Sequence, residues 1–273
     1  MDDVSKKHWV DQKYLQEQQY KTAANLTARA TLHKRFSINK MPWHEWVFDQ
    51  IGLQAGESLL DCGCGPAWLW RENVTRLPAD VQLTLTDLSP GMVETALGEL
   101  ADCEAIVGGQ PADIMALPFA ADSFDVVVAN HMLYHVPDRA KGLAEVRRVL
   151  KPGGRFVAAT NGLNHLSRLR YWARHFGLRE EVAKDTSAQL FGLENGAEQL
   201  APWFDTVHML DYPDGLRVTE VEPVIAYLLS MVGQLLAPSV EQVAEVRAAL
   251  AEEIAANDGV LVIEKSTGLF VCS

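Results

Sequence analysis

Short apolar runs alternate with helical patterns from residue 58 to residue 160, and this alternation constrains the fold of the chain more than any other feature. The runs predict five strands, at 58–62, 81–86, 104–108, 124–129 and 155–160. The fourth has the uninterrupted centre Val126-Val127-Val128, which is typical of a parallel strand covered on both faces. The sequence therefore predicts a doubly wound α/β fold around a parallel sheet.

The segments between these apolar runs contain residues that favour the start or the end of a helix. Ser89 is placed to cap a helix that Pro90 begins, because serine and a following proline favour a helix start. The run Lys151-Pro152-Gly153-Gly154 is expected to end the last helix of this part abruptly. We predict helices at 43–51, 67–77 and 139–150.

Beyond Asn161 the alternation gives way to longer helical patterns. We predict a strand at 206–212 and apolar terminal runs at 260–263 and 269–272. The sequence has no internal repeat and no linker-like stretch, which favours one domain. Helical patterns lie at 163–201, with breaks at Gly177, Gly192 and Gly196, and at 220–236 and 240–256.

Polar residues follow the predicted strands at the edge where open α/β sheets bind ligands. Asp61 and the turn Gly63-Cys64-Gly65 follow the first strand, and Asp87 follows the second. Asp113 comes after the third strand, and the segment 130–135 comes after the fourth. Glycines let the backbone turn sharply and approach a ligand closely, although Gly-x-Gly by itself is also compatible with an ordinary tight turn.

The two acids narrow the choice of ligand. Asp87 follows Gly65 by 22 residues, a spacing at which a carboxylate accepts hydrogen bonds from a nucleotide ribose. Asp61 would repel the pyrophosphate of a dinucleotide at the helix N-terminus, and Trp68 stands where the dinucleotide fingerprint has its third glycine. These residues favour an adenosine compound with a positively charged amino-acid end over NAD.

The charge balance argues against nucleic acids and anionic membranes as partners. The chain has 24 Lys and Arg against 36 Asp and Glu, a formal net charge of −12. This balance lacks the electrostatic footprint of a nucleic-acid or anionic-membrane binder, so we expect a small-molecule partner. The first residues contain no apolar run of the kind a signal peptide has, and the apolar part of 223–240 is too short to span a bilayer. We expect a cytoplasmic protein, either a monomer or a homodimer.

Cysteine and histidine spacing gives no metal or disulfide signal. Four cysteines in 273 residues are too sparse for a disulfide framework, and we expect them to be reduced. The eight histidines show no ligand pair at short helical spacing combined with a carboxylate. We therefore expect no metal site.

Four sequence blocks in this order resemble the class I S-adenosylmethionine-dependent methyltransferases, in particular the small-molecule subset that includes quinone-biosynthesis C-methyltransferases and natural-product enzymes. The resemblance covers about residues 55–160. It implies a Rossmann-like sheet of seven strands whose last strand is antiparallel, with helical lid additions. The blocks are Leu59-Leu60-Asp61-Cys62-Gly63-Cys64-Gly65-Pro66, Thr86-Asp87-Leu88-Ser89-Pro90-Gly91-Met92, Ala112-Asp113-Ile114-Met115-Ala116-Leu117-Pro118-Phe119 with Phe124-Asp125-Val126-Val127, and Val149-Leu150-Lys151-Pro152-Gly153-Gly154.

The resemblance implies a role for each strand end toward S-adenosyl-L-methionine, whose product is S-adenosyl-L-homocysteine. The loop of Gly63 and Gly65 would contact the methionine part, and Asp87 would bind the ribose hydroxyls. Asp61 is suited to accept a hydrogen bond from the ammonium group of the cofactor. Pro66 is a mild departure from the glycine or alanine that is common at this place in the family.

The adenine would lie beside the third strand. Asp113 would bind the adenine amino group next to the backbone of Ile114, while Leu88 and Met92 would pack on the ring. A solvated loop acid or a helix cap is the alternative interpretation of Asp113.

Residues after the fourth strand are candidates for the acceptor side. Methyl transfer from a sulfonium is an in-line displacement, and hydroxyl or carbon-acid acceptors also need a base. His131 is the first candidate for this base and His135 the second, but a histidine here is equally able to hydrogen-bond a loop carbonyl. Asn130 is expected to orient the loop or the cofactor.

The N-terminal residues resemble the helical extension that closes over the cofactor in some natural-product methyltransferases. Tyr20 and Arg29 are candidates to bind the methionine carboxylate, although an arginine on such a helix is equally often solvated. Trp43, Trp46 and Phe48 are either core residues or an aromatic acceptor wall. Five further residues are candidates to line the rest of the acceptor pocket, with core or dimer-contact packing as the alternative: Tyr171, Trp172, Phe176, Phe191 and Tyr227.

We therefore predict a single methyltransferase domain over 1–273 that moves a methyl group to an oxygen, nitrogen or carbon atom of a small molecule, an aromatic or natural product among the candidates. Its parts are an N-terminal helical lid (1–51), a cofactor-binding core (52–160), acceptor-side helical insertions with a sixth strand (161–258) and a final strand (259–273). The alternatives are a nicotinamide-dependent oxidoreductase and a non-catalytic adenosylmethionine-binding protein.

Overall fold

The computed structural model describes residues 10–14, 24–103, 105–175, 187–231 and 238–273. Its main sheet has seven strands in the order β3-β2-β1-β4-β5-β9-β6, and a second sheet pairs β7 with β8. The strands are β1 Ser58–Cys62, β2 Gln82–Asp87, β3 Ile106–Pro111, β4 Phe124–Asn130, β5 Leu150–Asn161, β6 Val207–Asp211, β7 Gly215–Val218, β8 Leu261–Glu264 and β9 Thr267–Cys272.

The predicted doubly wound sheet with an antiparallel seventh strand is confirmed. Strands β1 to β5 pair in parallel, whereas β9 lies antiparallel between β5 and β6. The predicted final strand at 259–273 is two strands, because β8 leaves the main sheet to pair with β7. Strand β7 was not predicted, since four residues give too short a pattern to separate from the following helix.

The helices alternate with the strands along the chain from β1 to β5, and several helices follow one another beyond it. They are α1 Gln12–Tyr14, α2 Ala24–Phe36, α3 Trp43–Ile51, α4 Trp68–Glu72, α5 Pro90–Glu99, α6 Arg139–Val149, α7 Ser167–His175, α8 Ser187–Leu190, α9 Gly196–Leu200, α10 Val221–Met231 and α11 Val240–Ala256.

Several predicted boundaries differ from the structure. The third strand, expected at 104–108, spans Ile106–Pro111. The helix expected at 67–77 stops at Glu72 and continues only as a 3₁₀ turn, Val74–Arg76. Gly196 begins α9 and does not interrupt a helix. Strand β5 starts at Leu150 directly after α6, so the run Lys151-Pro152-Gly153-Gly154 lies inside the strand, with Gly153 at a φ of 77°.

The central strand β4 shows why the sheet needs helices on both faces. Val126 and Val128 pack into one apolar cluster and Val127 into another, and all three are at most 1% exposed. A third cluster joins Leu32 of α2 to Leu250 of α11. The helical additions therefore have an apolar core of their own.

The strand order reverses between β1 and β4. Strand β1 pairs with β2 on one side and with β4 on the other, and Asp61 faces Leu85 and Val128 in these two registers. In open α/β sheets, ligands bind outside the carboxyl ends of the strands at such a switch point. The residues that follow β1, β2 and β4 are thereby brought together at one edge. Across the described ranges, no helix is both long and apolar enough to cross a membrane.

Candidate active site

The turn after β1 is held against β2 by the backbone. The N–H groups of Gly63 and Cys64 both donate to the carbonyl oxygen of Thr86, at 2.7 and 2.9 Å. Gly63 and Gly65 have φ angles of 72° and 52°, which glycine adopts without steric cost. A Cβ atom on Gly63 would stand 2.9 Å from the Cβ of Met132, so the loop after β4 leaves no room for a side chain there.

Asp61 is a buried carboxylate with one paired oxygen and one unpaired oxygen. Its Oδ2 accepts a hydrogen bond from the indole N–H of Trp70 at 2.7 Å. Its Oδ1 is buried and has no hydrogen-bond partner among the described residues. Burial raises the pKa of Asp61 to about 7; the Trp70 hydrogen bond opposes this rise and the charge of Asp87 adds to it.

Trp70 was not singled out from the sequence. It lies on α4, is fully buried, and packs edge-on against Phe48 at a ring-centroid distance of 6.5 Å. An indole that turns back to a carboxylate nine residues earlier has no local sequence signature. The sequence gives one general indication of the role of Trp70: a helix that follows a glycine turn packs one face against the preceding strand.

Asp87 ties the glycine turn to the start of α5. Its Oδ2 accepts from the N–H of Gly65 at 3.0 Å and its Oδ1 accepts from the N–H of Ser89 at 2.8 Å. Burial raises the pKa of Asp87, while these hydrogen bonds from Ser89 and Gly65 oppose the rise. Ser89 is the N-cap of α5, with its hydroxyl accepting from the N–H of Met92, and Pro90 follows as predicted.

Asp113 acts as a cap and contacts the N-terminal segment. Its Oδ1 accepts from the N–H of Met115 at 2.9 Å and begins the 3₁₀ turn Ile114–Ala116. Its Oδ2 accepts from the side-chain amide of Gln12 at 3.0 Å. The helix-cap interpretation of Asp113 therefore holds, and its expected role toward adenine stays a prediction. Gln12 brings residues from the chain start to this strand end.

The other residues expected around the adenine lie close by in the chain and differ in exposure. Ile114 is 5% exposed and Met92 is 2% exposed, while Leu88 is half-buried. Their backbone positions follow β2 and β3, at the same edge of the sheet as Asp87. Their packing on an adenine ring stays a prediction.

Asn130 and His131 end β4 beside the switch point. The Oδ1 of Asn130 is buried and has no hydrogen-bond partner among the described residues. His131 has a φ of 56°, a left-handed conformation in which histidine is several-fold enriched, and its N–H donates to the carbonyl of Ala159 at 3.0 Å. Burial, followed by the charges of His44 and Lys265, lowers the pKa of His131 to about 4. The imidazole is therefore neutral at pH 7.

His135 lies one turn further along, in the 3₁₀ turn Leu133–His135. Its ring packs edge-on against that of Tyr134 at 4.6 Å. His131 contacts the aromatic residues described next.

An aromatic cluster formed by Trp43, Trp46 and Tyr212 lies against His131. The Trp43 ring lies 5.4 Å from the Trp46 ring, 5.1 Å from the Tyr212 ring and 5.2 Å from the His131 ring. The Tyr212 hydroxyl donates to the carbonyl of Met41 at 2.6 Å. Tyr212 was not predicted as a site residue. Its signal is its position directly after β6, a strand that runs in the same direction as β5 and ends at the same edge of the sheet. Phe48, in contrast, is 8% exposed and belongs to the core.

The remaining candidates are more dispersed. Arg29 donates from Nε to the Ser230 hydroxyl at 3.2 Å and from Nη2 to the Ser230 carbonyl at 3.0 Å, which joins α2 to the end of α10. Its binding of a carboxylate stays a prediction. Phe191 is fully buried against Phe270, whereas Tyr171 is 49% exposed.

Two further candidates pack in the helical additions. Trp172 is 5% exposed in the cluster that joins α2 to α11, and the Tyr227 ring lies 6.3 Å from the His33 ring. Tyr20 and Phe176 lie outside the described residues. Within the part of the chain that is described, no three His, Cys, Asp or Glu side chains are grouped to hold a metal ion, and the four cysteines are free.

Comparison with known proteins agrees with this architecture. Residues 60–158 match the family described as "Methyltransferase domain". The chain is 34% identical over 118 residues to the ubiquinone/menaquinone biosynthesis C-methyltransferase of Marinomonas sp. (strain MWYL1), covering 42% of this chain and 47% of that protein. It is 41% identical over 111 residues to the 27-O-demethylrifamycin SV methyltransferase of Amycolatopsis mediterranei, covering 39% of each.

These matches span less than half the length of both relatives. Among solved structures, phosphoethanolamine N-methyltransferase 2 of Haemonchus contortus, in complex with S-adenosyl-L-methionine, aligns with a TM-score of 0.59 at 18% identity. The alignment covers 97% of this chain and 59% of that one. At this identity, the likeness concerns the fold.

Proposed function

We propose, from the match of residues 60–158 to the family described as "Methyltransferase domain" and from the geometry of the strand ends, that the chain is a class I S-adenosylmethionine-dependent methyltransferase. It would transfer a methyl group to an oxygen, nitrogen or carbon atom of a small molecule. The observation that carries the proposal is the unpaired Oδ1 of Asp61, buried beside the glycine turn at the switch point. A buried carboxylate oxygen without a donor is costly unless a ligand supplies one.

The strand ends fit S-adenosylmethionine residue by residue. Asp61 Oδ1 would accept from the ammonium group, while Trp70 holds the other oxygen. Asp87 would accept from the ribose hydroxyls, because an ionised carboxylate has about four lone-pair sites and backbone N–H groups use only two of them. Asp113, Ile114, Leu88 and Met92 would surround the adenine.

When bound, this cofactor supplies a methyl group on a positively charged sulfur, which is displaced in line by the acceptor. The chain's own contribution is to hold the two reactants in line, which is worth about 7–11 kcal/mol in well-oriented systems. Asn130 and the aromatic cluster of Trp43, Trp46 and Tyr212 are suited to this positioning, since Asn130 precedes His131 at the end of β4 and Trp43 packs on the His131 ring.

His131 is the proposed base for an acceptor that must lose a proton. Its imidazole is neutral at pH 7 and has a nitrogen lone pair that can accept a proton. The ring is half-buried between Trp43 and the end of β4. A neutral histidine also avoids repulsion with the positively charged sulfur of the cofactor. His135 is the second candidate.

Two measurements test the proposal. Calorimetry is expected to show binding of S-adenosylmethionine and S-adenosylhomocysteine but not of NAD, and binding of NAD alone would favour an oxidoreductase. Incubation with methyl-labelled S-adenosylmethionine and a metabolite extract of the host is then expected to label a small molecule, which gains the mass of one CH₂ group. Cofactor binding without label transfer to any metabolite would favour a non-catalytic binding protein. Label on RNA or protein would overturn the small-molecule assignment.

A further inference from the structure

A side-chain contact joins the N-terminal residues to the end of β3. Gln12 donates from Nε2 to Oδ2 of Asp113 at 3.0 Å, across a sequence separation of 101 residues. Both side chains are half-buried. The other oxygen of Asp113, Oδ1, is used within its own turn, where it accepts from the N–H of Met115. Oδ2 is therefore the oxygen that the turn leaves for another donor, and Gln12 occupies it.

The group that Gln12 presents to Asp113 resembles the one that Asp113 is expected to bind. A glutamine side chain ends in a planar –NH₂ group with two N–H donors. Adenine carries an –NH₂ donor of the same kind on its ring. A carboxylate oxygen that accepts from one of these groups is equally suited to accept from the other. If adenine binds at Asp113, Gln12 occupies the position of its amino group.

The N-terminal part of the chain has a second attachment after α2, at Asp214. The Ser37 hydroxyl donates to the Asp214 carboxylate, as do the N–H groups of Ile38 and Asn39, at 3.1 and 3.0 Å. Asp214 also pairs with Lys265, and its side chain is fully buried. Four donors therefore hold this attachment inside the protein.

The two attachments lie at opposite sides of the main sheet. Asp113 follows β3 and Asp214 follows β6, and these are the two outer strands of the seven. The ends of β1, β2 and β4, where the cofactor is proposed to bind, lie between them in the sheet order. The attachment at Asp214 is buried and has several donors, whereas the attachment at Asp113 is one half-buried hydrogen bond. A ligand that supplies an equivalent donor is able to replace the bond at Asp113.

We propose that Gln12 is a reversible latch, which occupies the Asp113 carboxylate when no cofactor is bound and is displaced by the adenine amino group. This inference rests on the proposed function and adds a regulation of its cofactor site. The apparent affinity for the cofactor is then lowered in proportion to the fraction of chains in which the latch is open. Removing the glutamine amide should therefore strengthen the binding of any ligand that uses Asp113.

Calorimetry on Gln12→Met tests the competition, because methionine keeps the length of the side chain and removes its amide. We expect the variant to bind adenosine and S-adenosylhomocysteine about three- to tenfold more tightly than wild type, the range of one net hydrogen bond. Purine riboside has a hydrogen atom in place of the amino group, so its affinity should stay within twofold. Lys13→Met changes an exposed neighbour and is the matched control, expected to behave as wild type.

Trypsin cleavage after Lys13 reports on the latch itself. Lys13 is exposed and lies next to Gln12 in α1, and cleavage follows the population in which this part of the chain is released. Saturating S-adenosylhomocysteine is expected to speed cleavage after Lys13 severalfold in wild type, as measured by mass spectrometry of the N-terminal fragment. Gln12→Met should be cleaved at the faster rate with or without the ligand.

The opposite results would overturn the inference. Protection of Lys13 by the ligand, or weaker adenosine binding in Gln12→Met, would show that Gln12 helps to hold the cofactor. An equal gain for adenosine and purine riboside would show that the amide does not compete with the amino group. The wild-type trypsin experiment needs no variant, so the test stands even where Gln12→Met fails to fold. Wild-type chain that binds neither adenosine nor S-adenosylhomocysteine would instead refute the proposed function, while binding with unchanged cleavage refutes only the latch.

Discussion

The indole N–H of Trp70 donates to Oδ2 of Asp61 at 2.7 Å, inside the protein and one helix turn beyond the glycine loop. The other oxygen, Oδ1, is buried and has no hydrogen-bond partner in the part of the chain that the structure describes. The hydrogen bond joins β1 to α4, the helix that follows it. On the proposed function, we expect cofactor affinity and core stability to depend on this same pair of residues.

Replacement of Trp70 by phenylalanine is expected to affect both properties. Removing a donor from a buried carboxylate costs about 1–3 kcal/mol, so the melting temperature should fall and S-adenosylmethionine should bind more weakly. Phe48→Leu is the matched control, because it loosens the packing against Trp70 and leaves the hydrogen bond in place. Thermal unfolding and calorimetry distinguish them: equal loss of cofactor affinity in the two variants would contradict a specific role for the indole N–H.

Cofactor binding should depend on pH through Asp61. Its carboxyl group has a pKa of about 7 in the folded chain against an ordinary value of 3.8. The folded state holds this proton between those pH values and the unfolded state does not, so the contribution of Asp61 to the free energy of unfolding falls as pH rises from about 4 to about 7. Binding of an ammonium group requires the ionised form, so affinity should rise by about fivefold from pH 6 to pH 7.

The ligand's own α-amino group loses its proton above about pH 8, and affinity should then decline. Calorimetry of wild type, Asp61→Asn and Asp205→Asn over pH 6 to 9 checks this expectation. Asp205 is exposed and lies outside the site, so its variant should follow the wild-type profile. The rise below pH 7 should be absent in Asp61→Asn, and its persistence there would assign the rise to another group.

Asp87→Ala should weaken cofactor binding by several kcal/mol at most, because each hydrogen bond to a charged group is worth about 1.5–3 kcal/mol. The variant also frees the N–H groups of Gly65 and Ser89, so part of the loss comes from a looser loop. Adenosine, which carries the ribose without the methionine part, separates the two contributions in calorimetry. An unchanged affinity for both ligands would remove Asp87 from the site; Asp205→Ala serves as the surface control.

The sequence predicted the sheet well because each strand is a local pattern. The run Val126-Val127-Val128 and the cap formed by Ser89 and Pro90 are read from adjacent residues, and both are found as expected. The residues missed act through side-chain contacts that have no local pattern: Trp70 bonds Asp61 nine residues earlier, and Tyr212 bonds Met41 from the other end of the chain. Lys265 meets Asp214 over a separation of 51 residues, and no spacing rule predicts that contact.

Gly63→Ala should destabilise the chain more than Gly65→Ala. Both residues have left-handed φ angles, which cost a residue with a Cβ about 1–2 kcal/mol. Only at Gly63 does the new Cβ also stand 2.9 Å from Met132, whereas nothing lies within 4 Å at Gly65. Urea unfolding of both variants measures the difference. Met132→Ala should recover part of the Gly63→Ala loss in a double-mutant cycle, and purely additive effects would show that strain alone is responsible.

His131→Asn separates the backbone role of this residue from its proposed chemical role. Asparagine tolerates the φ of 56° and leaves the N–H that donates to Ala159 in place, so folding and cofactor affinity should stay close to wild type. Loss of a general base lowers turnover by about 10²–10⁴-fold, and we expect a loss of this size in the rate of label transfer to the acceptor found in the extract. His135→Asn, which keeps His131, should reduce the rate much less. If the two variants lose turnover equally, or if His131→Asn retains the wild-type rate, His131 is not the base.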